Sequence, residues 1–196
     1  MPKPNPPRVR CAWPGDDPLM IAYHDEEWGV PVRDDRKLFE FVVLDAVQAG
    51  LSWRTVLHKR ENYRRALHGF DPERIARYRD TEMARLLADA GLVRNCAKMA
   101  AIVSNAQRFL EVRRAEGSFA ALAWSFTGGK TIVNRPASLS EIPATSPEAE
   151  AMSRELKARG FKFVGPTICY AFMQAAGMVN DHVTGCFRHR ELARRR

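Results

Sequence analysis

Residues 34–53 read DDRKLFEFVVLDAVQAGLSW, and this stretch decides the fold class. Asp34 and Asp35 are both N-cap residue types, and residues 36–49 then read as a helix whose middle, Phe39 to Val47, is apolar almost all round. A helix of that kind is buried among other elements instead of lying on a surface. Gly50 ends it and Ser52 can cap a second helix, in which Trp53, Val56, Leu57, Tyr63 and Leu67 recur at roughly helical spacing.

Working outward, Asp71-Pro72 and Asp80-Thr81 read as further helix starts, with Gly91 as a stop. Residues 95–115 form a long helix with Met99, Ile102, Val103, Ala106, Phe109 and Leu110 on its core side, closed by Gly117. Ser146-Pro147 opens a helix to about Arg159, Gly160 stops it, and another apolar helix follows Gly165-Pro166. Residues 127–145 hold the β-branched run Thr131-Ile132-Val133 between glycines and prolines, an irregular connection with room for one short hairpin. There is no internal repeat and no alternation of strands with helices. The fold class is all-α, which argues against a dinucleotide-binding sheet.

A chain of 196 residues with 45% hydrophobic content can bury a core, which excludes a disordered protein. No apolar run approaches the ~20 residues that span a bilayer, and Met1 to Arg10 is Pro-rich and polar, unlike a signal peptide, so a soluble cytoplasmic protein is expected. The net charge is +8, but residues 11–187 hold 23 bases and 22 acids. The excess lies in the ends, so residues 1–10 and 188–196 are read as flexible basic tails around one domain, 11–187. Within that domain two clusters stand out: Arg54, Lys59, Arg60, Arg64 and Arg65 against Glu61, and Arg154, Lys157, Arg159 and Lys162 against Glu155.

Four cysteines without a signal peptide make disulfides a poor default. Cys96 and Cys169, in apolar helical surroundings, read as core residues. Cys11 precedes His24, and His182 precedes Cys186 by one helical turn. Together they have the Cys2His2 composition of a tetrahedral zinc site, on equal terms with two unrelated buried pairs. Their places at the two ends of the domain favour a clamp with no open coordination position.

Phe161-Lys162-Phe163-Val164-Gly165 between two helices has the outline of a helix-hairpin-helix, whose backbone N–H groups hold a DNA phosphate. Phe163 stands in place of the motif's first glycine, and as a lone motif an ordinary corner between helices is the more frequent explanation. Asp45 is the sole ionisable group between Phe41 and Val47, and a buried carboxylate needs a partner. A core N–H or arginine is the general answer; a ligand is the sharper one, because Gln48-Ala49-Gly50-Leu51-Ser52-Trp53 follows, with Tyr23 as a second aromatic.

These residues resemble the 3-methyladenine DNA glycosylase I family. The resemblance covers about Cys11 to Cys186 and rests on DPL (17–19), IAYHD (21–25), EWGVP (27–31), QAGLSW (48–53), TVL (55–57), KREN (59–62), LSEIP (139–143), RGFKFVG (159–165), TICY (167–170) and VNDHV (179–183). It implies a helix-hairpin-helix architecture of two helical lobes, with one structural zinc per chain on Cys11, His24, His182 and Cys186 and no organic cofactor. The partner implied is double-stranded DNA carrying alkylated bases, bound by a monomer with no membrane association.

The activity implied is hydrolysis of the N-glycosidic bond of N3-methyladenine, leaving an abasic site after the nucleotide has been flipped out. Tyr23, Trp53, Asp45 and Met20 would form the base pocket, with Asp45, an ionised carboxylate, as the catalytic residue. Leu51 would wedge into the vacated stack, and Gly50, Lys162, Gly165 and Thr167 would bind the DNA beside it. The chain departs from the family in carrying Asp45 where a glutamate is usual and Met20 where a tyrosine lines the pocket. Asn180 stands where the wider superfamily has a catalytic aspartate, a feature the family shares. The departures leave two other outcomes: the same fold with a different lesion specificity, or a non-catalytic reader of damaged DNA.

Overall fold

The Asp34 carboxylate accepts the Lys37 backbone N–H at 2.8 Å and so begins the central helix, α2 (Asp35–Gln48), whose residues 38–47 are all buried. The structure is a computed structural model that describes residues 8–194. Among the described residues α2 packs against α3 (Trp53–Ala66), α6 (Cys96–Glu116), α7 (Phe119–Ser125) and α9 (Pro166–Ala175), and the other helices are α1 (Pro18–Glu26), α4 (Pro72–Ile75), α5 (Asp80–Ala88), α8 (Pro147–Ala158) and α10 (Phe187–Ala193). The all-helical reading therefore holds, with each expected helix present. Phe39 of α2 meets Phe109 of α6 at 4.9 Å between ring centroids, and Phe109 stacks on Phe119 of α7 at 4.6 Å. Burying such a ring contributes about 1.5–3 kcal/mol.

A second, smaller apolar cluster joins Cys11, Met20, Tyr23, Trp28, Leu57 and Cys186, and Trp53 packs against both clusters. Beneath Tyr23, buried Arg60 of α3 donates to Glu27 at 2.7 and 2.8 Å and to Glu40 at 2.6 Å, locking α1, α2 and α3 together. Against the cost of burial, the Arg60 guanidinium and the Lys37 ammonium draw the Glu27 carboxyl down to about 2. Arg64 also pairs with Glu40 and Glu61, and Arg159 with Glu155 and Glu116, so both basic clusters read from the sequence are partly neutralised.

Four expectations change. No hairpin forms within 127–145: β1 (Ile132–Val133) pairs in parallel with β2 (Val179–Asn180), far along the chain. Three helices are unexpected: α7, capped by Ser118, and two that hold the ends. Helix α1 begins at Asp17-Pro18, a capping carboxylate with proline at N1; α10 carries buried Arg188, His189 and Leu192 through the segment read as a tail. Of that expected N-terminal tail, residues 1–7 lie outside the described residues, and Arg10 is fixed by Asp25 at 2.7 Å. Cys96 is exposed at the start of α6, whereas Cys169 is buried.

The chain after α9 lies against residues 28–32, with Gly29 N–H to the Gln174 carbonyl at 3.0 Å and Val32 N–H to that of Ala176 at 3.0 Å. Gly177 allows this approach, because a β-carbon there would collide with the Val30 backbone.

Candidate active site and metal centre

Helix α1 brings His24, and the segment after β2 brings His182 and Cys186, to the Cys11 thiol. The four ligand atoms lie within 4.8 Å of one another and all four residues are buried. His24 Nε2 is 3.2 Å from His182 Nδ1; Cys186 Sγ is 3.5 and 3.6 Å from these nitrogens, and Cys11 Sγ is 3.7 Å from His182 Nδ1. A tetrahedral zinc with ordinary Zn–N and Zn–S bonds requires nitrogen–nitrogen edges of about 3.3 Å and nitrogen–sulfur edges of about 3.6 Å. The donor set and its spacing thus fit that ion.

The outer nitrogens fix the tautomers. His24 Nδ1 faces Asp25 Oδ1 at 2.7 Å and His182 Nε2 faces the Trp28 carbonyl at 3.0 Å, both acceptors. Each ring therefore donates outward and turns a lone pair inward, the usual arrangement around a ligated metal. Two lone pairs facing each other at 3.2 Å favour a cation between them. A hydrogen bond from Cys11 draws Cys186 well below the ordinary thiol range, while the Cys11 thiol is pushed up; a zinc bound here would displace the proton the two sulfurs share.

The His182 bond to Trp28 ties this cluster to the wall of a cleft of about 340 Å³. Trp13, Tyr23, Trp28 and Trp53 supply its aromatic lining, and Asp45, Gln48 and Gln174 its polar groups. Tyr23 and Trp53 are 5.0 Å apart and tilted by 45°, while Trp13 meets Trp28 edge to face at 5.2 Å. Asp45 is 2% exposed, and its Oδ2 has no hydrogen-bond partner among the described residues. The indole N–H groups of Trp13 and Trp53 are likewise buried and unpaired. Burial pushes the Asp45 carboxyl well above the usual carboxylate range, so a positively charged neighbour is what favours its ionised form. An aromatic cage around a buried carboxyl with no partner among the described residues is suited to a flat cationic guest.

Two further features flank the cleft. Leu51 is 39% exposed on the turn between α2 and α3, beside exposed Gly50. The α8–α9 hairpin is held from within: Asn105 of α6 exchanges two hydrogen bonds with the Lys162 backbone at 2.8 and 3.0 Å, and Ser153 donates to the Val164 carbonyl at 2.6 Å. Phe163 adopts φ 55°, the left-handed conformation its missing glycine would take. Gly165 then begins α9 without a side-chain cap, Pro166 supplies no N–H, and Thr167 lies in the first turn.

A model of the methyladenine glycosylase family matches residues 13–189. The chain belongs to the methyladenine glycosylase family. It is accordingly a glycosylase, an enzyme acting on N-glycosyl bonds. It is 51% identical over 177 residues to DNA-3-methyladenine glycosylase 1 of Escherichia coli, covering 90% of this chain and 95% of that one. The Haemophilus influenzae DNA-3-methyladenine glycosylase is 46% identical, over 91% of this chain and 96% of the relative.

Among solved structures, a crystal structure of 3-methyladenine DNA glycosylase I superposes with a TM-score of 0.89 at 54% identity, covering 91% and 98% of the two chains. A tyrosine-to-phenylalanine variant of 3-methyladenine DNA glycosylase I in complex with 3-methyladenine gives 0.88 at 35% identity, covering 91% and 96%.

In this glycosylase the fold brings Tyr23, Asp45 and Trp53 to one cleft but leaves Met20 out of its lining. Met20 is buried in the smaller apolar cluster with Tyr23 and Leu57. Asn180 is also away from the cleft, donating to the His189 carbonyl at 3.1 Å and accepting the His182 N–H at 3.3 Å. Trp13, Trp28, Gln48 and Gln174 are cleft residues that the sequence reading did not assign. Trp28 and Gln48 stood within the EWGVP and QAGLSW strings, so a signal was present for them. Gln174 depends on a contact invisible locally: buried Asp181 accepts from Gln174 Nε2, the Tyr170 hydroxyl and Asn134 Nδ2, each at 2.7 Å. Among the described residues no helix is long and apolar enough to cross a membrane.

Proposed function

We propose that the protein hydrolyses the N-glycosidic bond of N3-methyladenine in double-stranded DNA, acting as a monomer and leaving an abasic site. The observation that carries this reading is the aromatic cleft with a buried, unpartnered carboxyl at Asp45. N3-alkylation makes the adenine nucleotide cationic, so the flipped base meets π-faces at Tyr23 and Trp53 and brings the positive charge that ionises Asp45. Asp45 then accepts from the exocyclic amine. As the bond to C1′ breaks, the positive charge moves to the sugar and the base leaves neutral, so little general acid catalysis is needed. Asp45 therefore acts chiefly in selecting and holding the cationic base.

Leu51 fills the vacated stack, with Gly50 allowing its turn to approach the duplex. The N–H groups of Gly165 and Thr167 hold a phosphate beside Lys162, in the manner of a helix-hairpin-helix. One structural zinc on Cys11, His24, His182 and Cys186 ties the ends of the domain together; with four protein ligands it takes no part in the hydrolysis. Support for zinc comes from the tetrahedral spacing and the inward-facing lone pairs.

The experiment is incubation with methylated duplex DNA followed by alkaline cleavage at abasic sites. Strand breaks above the no-enzyme control are expected. Tight binding to the methylated duplex without breaks would replace this reading with the non-catalytic reader.

A further inference from the structure

Lys98 lies in the first turn of α6, where the positive end of the helix dipole disfavours a cation, and it is buried. Its placement is explained by what its ammonium reaches. Nζ donates to the Val47 carbonyl at 2.7 Å and to the Ala49 carbonyl at 2.6 Å, across the C-terminus of α2. Helix α2 has no basic residue of its own in its last turn, so Lys98 supplies that charge from a neighbouring helix.

The second bond reaches past the helix into the turn that carries Leu51. Ala49 has φ −45° and ψ 116°, Gly50 has φ 75°, and the Leu51 N–H closes on the Gln48 carbonyl at 2.6 Å. These are the angles of a type II β-turn with glycine at its third position. In such a turn the central carbonyl and the next N–H point to opposite sides, and the peptide between them can flip to give a type I turn. With the Ala49 carbonyl held inward by Lys98, the Gly50 N–H is directed outward, beside exposed Leu51.

We propose that Lys98 is a positioning residue for excision from duplex DNA: by fixing the Ala49–Gly50 peptide it presents the Leu51 wedge, and the outward Gly50 N–H, to the DNA. This rests on the wedge role given to Leu51 above. A lysine serving only to cap α2 would affect stability and the cleft together, whereas a wedge support matters only where a stack must be opened.

The test compares wild type, Lys98→Met, Lys98→Arg and Leu51→Ala in three measurements: kcat/KM on duplex methylated DNA, kcat/KM on the same strand unpaired, and binding of free 3-methyladenine. Lys98→Met and Leu51→Ala are expected to lose at least tenfold on duplex, to stay within about threefold on the single strand, and to bind the free base like wild type. Lys98→Arg, which keeps the charge and donors and guards against a poorly folding Met variant, is expected to recover at least part of the duplex activity. Full duplex activity in Lys98→Met alongside a defective Leu51→Ala overturns the inference. Equal losses in all three measurements also overturn it, because they make Lys98 merely structural. Full duplex activity in Leu51→Ala overturns the wedge reading itself.

Discussion

Replacing Asp45 by asparagine removes the charge the cleft can develop while keeping the side chain's size. Asp45 is 2% exposed, its Oδ2 has no partner among the described residues, and burial pushes its carboxyl well above the usual aspartate range. In the unfolded chain it ionises near pH 3.9. Between that pH and its raised folded value the native state retains a proton the unfolded chain has released, so stability is lost as pH rises through this window. Asparagine carries no such penalty. The melting temperature of Asp45→Asn relative to wild type is therefore expected to improve steadily from pH 4 upward.

Activity should move the other way. A hydrogen bond to a charged group contributes about 1.5–3 kcal/mol, which at about 1.4 kcal/mol per tenfold is roughly a 10- to 150-fold fall in kcat/KM for N3-methyladenine release. Wild-type kcat/KM should also rise with pH as Asp45 gives up its proton, and the variant should lack that rise. Asp45→Glu adds one methylene facing a cleft of about 340 Å³ and restores the family's usual residue, so it should preserve or improve release. The assay is chromatography of released base across pH, with melting curves in the same buffers. Excision by Asp45→Asn within threefold of wild type, or a melting temperature lowered equally at every pH, would refute the reasoning.

Metal analysis of protein purified without chelator should find about one zinc per chain. Cys11→Ser or His182→Ala should lose it, with a fall of roughly 6–20 °C in melting temperature if a broken buried site costs about 3–5 kcal/mol in a chain of this size. Lys162→Ala should weaken binding to methylated and unmethylated duplex alike and reduce the slope of log K against log salt by about 0.9, one phosphate's share, as read by titration at several salt concentrations. Trp53→Ala should lower release of N3-methyladenine by roughly 5- to 150-fold, given about 1–3 kcal/mol for stacking of one base, measured by the same chromatography.

Helices α2 to α6, α8 and α9 were legible because their signals are local: a capping aspartate at Asp34, an apolar run from Phe39, a glycine after Glu116. Helix α10 was not, since its charged residues gain burial only through contacts such as that of Asn180 with the His189 carbonyl. The β1–β2 pairing failed to appear for the same reason, its partners being far apart in sequence. In the site, Asp45 stood out as an acid in an apolar helix, and the four candidate metal ligands as Cys/His pairs at the two ends. Spacing alone could not decide between a clamp and two separate pairs. The opposed lone pairs of His24 and His182 favour the clamp, and they arise only when α1 and the segment after β2 are packed together. The burial that raises the Asp45 carboxyl comes from tertiary surroundings that no residue string displays.

The central claim is that this cleft selects and releases a cationic purine. Chromatography of the bases set free from duplex DNA carrying N3-methyladenine, N3-methylguanine and N7-methylguanine tests it most directly. Free 3-methyladenine is expected as the main product, and Asp45→Asn is expected to lose most of it. Release of neither methyladenine nor methylguanine by folded, zinc-loaded protein that still binds the duplex would contradict it.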